Sequence, residues 1–427
     1  MRKYTIDLAI KNYMPITTIL FFILLNLTSC AQPENKAIKG DLDTPKDTVE
    51  IYQKFKTNIV LGAKRFDVYK PYLEGKRVAI VGNHTSVVDS VHLVDFLLNK
   101  NINIVKVFAP EHGFRGTADA GEKVESGKDT KTGLPIISLY GKNKKPTKEQ
   151  LQDVDVLIFD IQDVGARFYT YISTMHYVME AAAENDKKVI VLDRPNPNGF
   201  YVDGPILDLK HQSFIGMHPV PVIHGMTVAE YATMVNEEGW LEKGVKCDLT
   251  IVTCENYAHS DYYELPIAPS PNLPNMAAIY LYPSLCLFEG TKVSVGRGTD
   301  LQFQVIGYPE YSDTSFCFTP KPNVGAKNPD YNGEKCCGLN LQQFGDLYFR
   351  NIEKLYLDWL LLMYESYPNK KEFFRKDGFF TLLVGNENIQ KLIEQGKSVE
   401  EISAVWKNDV AQFKKIRKKY LLYEDFE

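Results

Sequence analysis

Ile104-Val105-Lys106-Val107-Phe108-Ala109-Pro110-Glu111-His112-Gly113-Phe114-Arg115-Gly116 decides how the rest of the chain is read. Its apolar first half predicts a buried strand. Its second half then delivers a carboxylate, an imidazole and a guanidinium between Glu111 and Arg115. In open α/β sheets ligands sit outside the carboxyl ends of strands, so a strand that stops this way predicts a site at that edge.

Outward from this stretch the pattern repeats. Arg77–Val81 reads as a strand that runs into Asn83 and His84. Val156–Asp160 leads to Asp163 and Arg167, and Val189–Leu192 leads to Asp193, Arg194 and Asn196. Val220–Ile223 ends at His224, while Leu134–Leu139 and Leu249–Val252 complete the strand series. Helical periodicity falls between them, at about Val88–Asn99 and Tyr171–Asn185. Thr147-Lys148-Glu149-Gln150 and Thr227-Val228-Ala229-Glu230 have the form of capping boxes. Strands alternating with helices predict an α/β fold with a parallel, doubly wound sheet. The near-continuous Val/Ile/Leu strands suit a sheet covered on both faces. Thr48 to Leu73 reads as a helical lead-in.

The proline-rich run Pro266 to Pro283 marks a domain boundary, and helices return near Leu341 to Tyr364. The last helix should start at the Ser398-Val399-Glu400-Glu401 capping box, with Ile402, Trp406, Phe413, Ile416 and Tyr420 on its buried face. Lys414, Lys415, Arg417, Lys418 and Lys419 near its end read as a solvated cationic terminus, favoured by the helix dipole.

Net charge is −5, which gives no general affinity for nucleic acid or an anionic membrane. Arg2, Lys3 and Lys11 precede an apolar run, Ile16 to Leu25, too short to span a bilayer at about 20 residues. Leu27-Thr28-Ser29-Cys30 resembles a bacterial lipobox. Residues 1–29 are therefore expected to be a signal peptide, Cys30 a lipid-modified first residue, and 30–47 a tether. The location expected is the cell envelope, as a membrane-anchored lipoprotein facing the periplasm or exterior. Cys247, Cys254, Cys286, Cys317, Cys336 and Cys337 read as buried thiols. Cys247 and Cys254, extended on one strand, would lie about 23 Å apart, whereas a disulfide needs about 7 Å or less.

No Gly-x-Gly-x-x-Gly, Walker loop, Gly-x-Ser-x-Gly elbow or His-Glu-x-x-His is present. No cofactor and no zinc-type spacing is indicated. Carboxylates, arginines, histidines and tyrosines remain. That set suits cleavage of a glycosidic bond, in which a protonated carboxyl donates to the leaving oxygen. Glu111, ending an apolar strand, is placed for the desolvation that such an acid needs. Arginines beside it would bind a substrate carboxylate.

Several longer segments resemble the NamZ-type exo-β-N-acetylmuramidases. They are Ala109–Gly116, Ala120-Gly121-Glu122, Asp160–Tyr171, Leu192–Pro197, His224–Thr227, Phe288-Glu289-Gly290-Thr291 and Gly296-Arg297-Gly298-Thr299. The resemblance implies a Rossmann-like catalytic domain, residues 48–265, and a smaller α+β domain, 266–427, that completes the cleft. It implies release of N-acetylmuramic acid from the non-reducing end of peptidoglycan fragments, with Glu111 as catalytic acid. It also implies a sugar subsite lined by His112, Arg115, Asp160, Asp163, Arg167, Asp193, Arg194 and Asn196. Asn83, His84, Glu122, Tyr169, His224 and Arg297 are added as further substrate contacts. Family members often carry Ser-Glu-Gly before Arg-Gly-Thr; here it is Ser294-Val295-Gly296. The second catalytic group is thus open among Asp160, Asp163, Glu122 and the substrate's own N-acetyl group, with Asp160 placed first.

Two other readings compete. One is a lipid-tethered protein that captures muropeptides without turnover. The other makes Glu111, His112, Asp160 and His224 metal ligands of a hydrolase. The glycosidase reading requires Glu111 to share one hollow with Asp160, Arg167 and Asp193.

Overall fold

A computed structural model describes residues 58–114, 126–347 and 349–427. The expected signal peptide, Cys30, the tether, Arg115 and Glu122 lie outside these residues.

Seven strands form the main sheet: β1 (Val78–Gly82), β2 (Ile104–Ala109), β3 (Gly127–Lys128), β4 (Pro135–Ser138), β5 (Val156–Asp160), β6 (Lys188–Leu192) and β7 (Asp248–Val252). Their order is β3-β4-β2-β1-β5-β6-β7, all parallel except the short edge strand β3. Leaving that edge aside, the six parallel strands follow the Rossmann order 3-2-1-4-5-6, whose switch point lies between β1 and β5. There Gly82 pairs with Asp160.

Strand side chains alternate between two apolar layers. Val78, Ile80, Val107, Ile158 and Ile190 enter one, with Leu93, Val94 and Leu97 of α1 (Leu93–Asn99). Ala79, Val81, Phe108, Phe159 and Val191 enter the other, with α3 (Tyr171–Glu184), α4 (Val228–Glu237) and much of the C-terminal part. Both faces being covered accounts for the apolar runs. The capping boxes at α2 (Lys148–Leu151) and α4 form as expected.

Past α5 (Met276–Leu285) a three-stranded antiparallel sheet has the order β8 (Val305–Tyr308), β10 (Cys336–Asn340), β9 (Cys317–Phe318). Helices then follow to Arg417.

Several expectations need correction. Val220–Ile223 is not a sheet strand. It makes isolated bridges with Ala166 and Asp203, and Pro221, which has no N–H, suits it poorly for a central ladder. The described part of the lead-in is a series of one-turn helices between Gly62 and Tyr72. A two-residue ribbon, Val87–Val88 against Val91–His92, precedes α1 and shortens it. The final helix keeps its Ser398 cap but breaks into Val399–Ser403 and Lys407–Arg417. The break falls at Trp406, whose indole N–H donates to Asp203 Oδ1 at 2.7 Å. Arg417 is not solvated: it is fully buried, donating to the Gly225 carbonyl and pairing with Asp425.

Cysteine usage also departs in part. Cys247, Cys254, Cys286 and Cys336 are buried thiols, but Cys317 and Cys337 form a disulfide across β9 and β10. Their separation of 20 residues gave no local cue to the pairing. Replacing both by serine should lower unfolding free energy by about 3 kcal/mol, read by urea denaturation under oxidising conditions. Equal stability of variant and parent would argue against the cross-link.

Candidate active site

A cleft of about 460 Å³ opens beside the end of β2. Its lining brings together Glu111, His112, Tyr169 and Arg297 of the residues expected from sequence. Glu111 and His112 sit in the turn after β2, where His112 has φ +67°. A bulky non-glycine residue in that region marks a backbone held by its surroundings, as happens at functional sites. Thr170, just before α3, donates from Oγ1 to Glu111 Oε2 at 2.6 Å. Tyr169 donates to the Pro269 carbonyl at 2.9 Å, which ties this loop to the proline-rich segment carrying Ser270 and Asn272. Asn272 is buried, and its Oδ1 has no hydrogen-bond partner among the described residues.

The opposite wall comes from the turn after α5. Glu289 accepts from Arg297 Nε at 2.5 Å, and the Arg297 guanidinium lies 5.0 Å from the Phe303 ring centroid. Burial alone would depress that guanidinium. The Glu289 charge more than offsets it and leaves Arg297 above its ordinary value. Gly296 and Gly298 flank Arg297 with φ +76° and +80°. A Cβ at Gly298 would stand 2.6 Å from the Lys321 carbonyl, so this turn needs glycine. Phe168, Tyr169, Tyr282 and Phe303 make an edge-to-face aromatic floor with centroids 5.0 to 5.8 Å apart. Such rings offer apolar faces to a sugar. Val295, of the Ser294-Val295-Gly296 stretch, lines the cleft as an apolar residue.

The other strand-end residues are not in the cleft lining. Asp160 is fully buried and takes a two-point ion pair from Arg194, at 2.6 and 3.0 Å. Both its oxygens are engaged by Arg194, and it does not line the cleft. Arg194 also donates to the Val87 carbonyl. Arg167 spends its guanidinium on four carbonyls, those of Pro205, Val220, Leu383 and Val384. Asp193 accepts from the Ala229 amide at the start of α4 and from the Tyr423 hydroxyl at 2.5 Å. Burial pushes its carboxyl up to about 6. Asn196 Nδ2 donates to the Met226 carbonyl. His224 is buried, accepts from the Met226 amide, and is driven down to about 3 by burial and then by Arg417 and Arg167. Asn83 Nδ2 donates to the Tyr171 hydroxyl, and His84 Nε2 to the Ala268 carbonyl. Among the described residues the cleft lining does not unite Glu111 with Asp160, Arg167 and Asp193, so the condition set on the glycosidase reading fails in that form. Those three are engaged by protein partners, and the carboxylate and guanidinium that share the cleft lining with Glu111 are Glu289 and Arg297.

The donor set of the metal reading does not assemble either, with Asp160 committed to Arg194 and His224 buried against Met226. Among the described residues, acidic donors converge at Glu180, Glu184 and Glu242, where the Lys145 ammonium binds Glu180 and Glu184. Sequence reasoning missed Thr170, Glu289 and Arg375 as cleft residues. Thr170 and Glu289 lay inside the quoted motifs. Arg375 had no local signal.

Compared with known proteins, residues 78–277 match the family described as exo-beta-N-acetylmuramidase NamZ, N-terminal, and residues 280–423 match its C-terminal counterpart. The peptidoglycan beta-N-acetylmuramidase NamZ of Bacillus subtilis (strain 168) is 42% identical over 373 residues, spanning 83% of this chain and 89% of the relative. Crystal structures of two DUF1343 family proteins from Bacteroides fragilis NCTC 9343 are similar throughout. One is 50% identical with a TM-score of 0.80 and the other 30% identical with 0.75; each covers 86% of this chain and 100% of its own.

Asp163 supplies a test of the scaffold. It is buried, accepts from the Gly165 amide at 2.7 Å, and its Oδ2 has no partner among the described residues. Burial pushes it up to about 7, against the pull of the Gly165 and Val164 amides. A carboxyl raised on folding stabilises below its unfolded value, near 4, and that contribution is lost as pH climbs through 7. Asp163→Asn keeps the acceptor but cannot ionise. Its stability relative to the parent should rise between pH 4 and pH 8 in urea denaturation. A pH-independent difference would contradict this.

Proposed function

The chain belongs to the NamZ exo-β-N-acetylmuramidase family, and from that premise we propose how its cleft divides the work of hydrolysis. It is a glycosidase acting on peptidoglycan, releasing N-acetylmuramic acid from the non-reducing end. The family match favours this reading over a capture protein without turnover.

Glu111 is the general acid. The observation that carries this is its position in the cleft, half-buried, with Oε2 held by Thr170 and facing a wall that contains a second carboxylate and guanidiniums. It delivers a proton to the departing glycosidic oxygen as the bond to the anomeric carbon breaks, and water completes the product. Glu289 takes the role first given to Asp160. Its carboxylate lines the cleft and is held by the Arg297 guanidinium, which suits it to stabilise positive charge at the anomeric carbon or to orient water. Arg297 and Arg375, the guanidiniums in the lining, take the lactyl carboxylate. Asn272 Oδ1 accepts the acetamido N–H. Arg167 and Arg194 position loops and touch no sugar.

We also propose that the chain is exported and anchored through Cys30. The lipobox-like Leu27-Thr28-Ser29-Cys30 supports this, and so does the Cys317–Cys337 disulfide, since such bonds persist in oxidising compartments.

Glu111→Gln should lower release of N-acetylmuramic acid at least about a hundredfold while leaving calorimetric binding of the sugar intact. Near-parental turnover would remove Glu111 from the acid role. Cys30→Ala should move the protein from the membrane to the soluble fraction on cell fractionation. Unchanged membrane retention would contradict the anchor.

A further inference from the structure

An exo-acting enzyme has one sugar on the far side of the scissile bond, so the rest of the glycan must leave the cleft on the other side. A second hollow, of about 580 Å³, lies beside the cleft. Asp330 and Arg375 line both, so the two are neighbours. The shared wall is one short run of chain: Glu289 faces the cleft, and Lys292, three residues on, faces the hollow. Arg375 Nη1 donates to the Glu289 carbonyl at 3.4 Å, and the Arg375 amide to Gly290 at 2.9 Å, which fixes the far side of this wall.

Charge in the hollow is unevenly used. Lys376 pairs with Glu372 at 3.0 Å, and Arg375 pairs with Asp377 at 2.6 Å while also feeling Asp330. The Lys292 side chain is exposed, and among the described residues its ammonium makes no ion pair or hydrogen bond. Its backbone is nonetheless fixed on both sides. Its amide donates to the Phe373 carbonyl at 2.8 Å, and its carbonyl accepts from the Tyr331 hydroxyl at 2.7 Å. A positioned cation without a carboxylate, beside the rings of Tyr331 and Phe374, suits a ligand that is part sugar face and part anion.

We propose that this hollow is the leaving-group subsite, which receives the reducing-end continuation of the glycan, and that Lys292 binds the carboxylate of the next muramic acid along the chain. The inference rests on the glycosidase reading above. It makes the enzyme favour fragments that carry a second acidic sugar beyond the one released. Lys292 is a binding residue for the distal chain and takes no part in bond cleavage.

The test compares three substrates without peptide: a chromogenic N-acetylmuramic acid glycoside, the disaccharide MurNAc-GlcNAc and the trisaccharide MurNAc-GlcNAc-MurNAc. The parent should show a higher kcat/KM on the trisaccharide than on the disaccharide. Lys292→Glu should cut the ratio of the two about tenfold, mainly through KM, and Lys292→Arg should retain most of it. A ratio unchanged by Lys292→Glu overturns the proposal. So does a parent kcat/KM no higher on the trisaccharide than on the disaccharide, which would leave no acidic sugar at Lys292. Failure of the parent to release N-acetylmuramic acid from all three would strike the glycosidase reading itself, a result distinct from either.

Discussion

The structure hangs on a buried charge pair at the switch point of the sheet. Asp160 ends β5 beside the last residue of β1, and Arg194 comes from the loop after β6; neither side chain is more than 2% exposed. Neither charge is tolerable there alone, and removing one partner of such a pair costs about 3–5 kcal/mol. Its geometry therefore locks three loops to one another. Ser86 Oγ donates to the Asp160 carbonyl, and Arg194 reaches the Val87 carbonyl, so the loop after β1 joins the same knot. Glu111 and Thr170 stand on the front of this assembly, and their contact is only as well placed as the loops behind it.

Two more buried guanidiniums extend the principle. Arg167 joins the loops around Pro205 and Val220 to the helix Phe379–Val384. Arg417 joins the C-terminal helix to Gly225, while Leu422 and Tyr423 reach Glu230 and Asp193. Arginine suits this work because its fork offers several donors in a fixed plane and stays charged when buried. The segment with Leu383 and the turn with Arg297 both line the cleft, so these clamps bear on its width as well as on stability.

Much of the sheet was legible in the sequence because the central strands carry near-continuous apolar runs, and the three capping boxes carry their own local signature. Val220–Ile223 imitated a strand for the same reason: a buried loop between two clamped segments also needs apolar side chains. The Cys317–Cys337 bond was hidden because a partner in β10 is set by register, not by spacing. The site was half legible. A polar residue at a strand end reads the same whether it turns into the cleft, as Glu111 does, or back into the scaffold, as Asp160, Asp193 and Arg194 do. Arg167 reads as a substrate anchor only until its carbonyl partners are known. Glu289 was obscured by attention to the missing carboxylate at Val295, although it sits eight residues before the arginine it holds.

The division between a binding front and a clamping back is what a bound sugar would reveal. The decisive measurement is a crystal structure with N-acetylmuramic acid in the cleft. The expected pose places the ring over the Tyr169–Tyr282 floor, its glycosidic oxygen at Glu111 and its lactyl carboxylate at Arg297 or Arg375, with Asp160, Arg167 and Arg194 still bound to their protein partners. A sugar carboxylate lying on Arg167 or Arg194, with Glu111 out of reach of the anomeric oxygen, would contradict it.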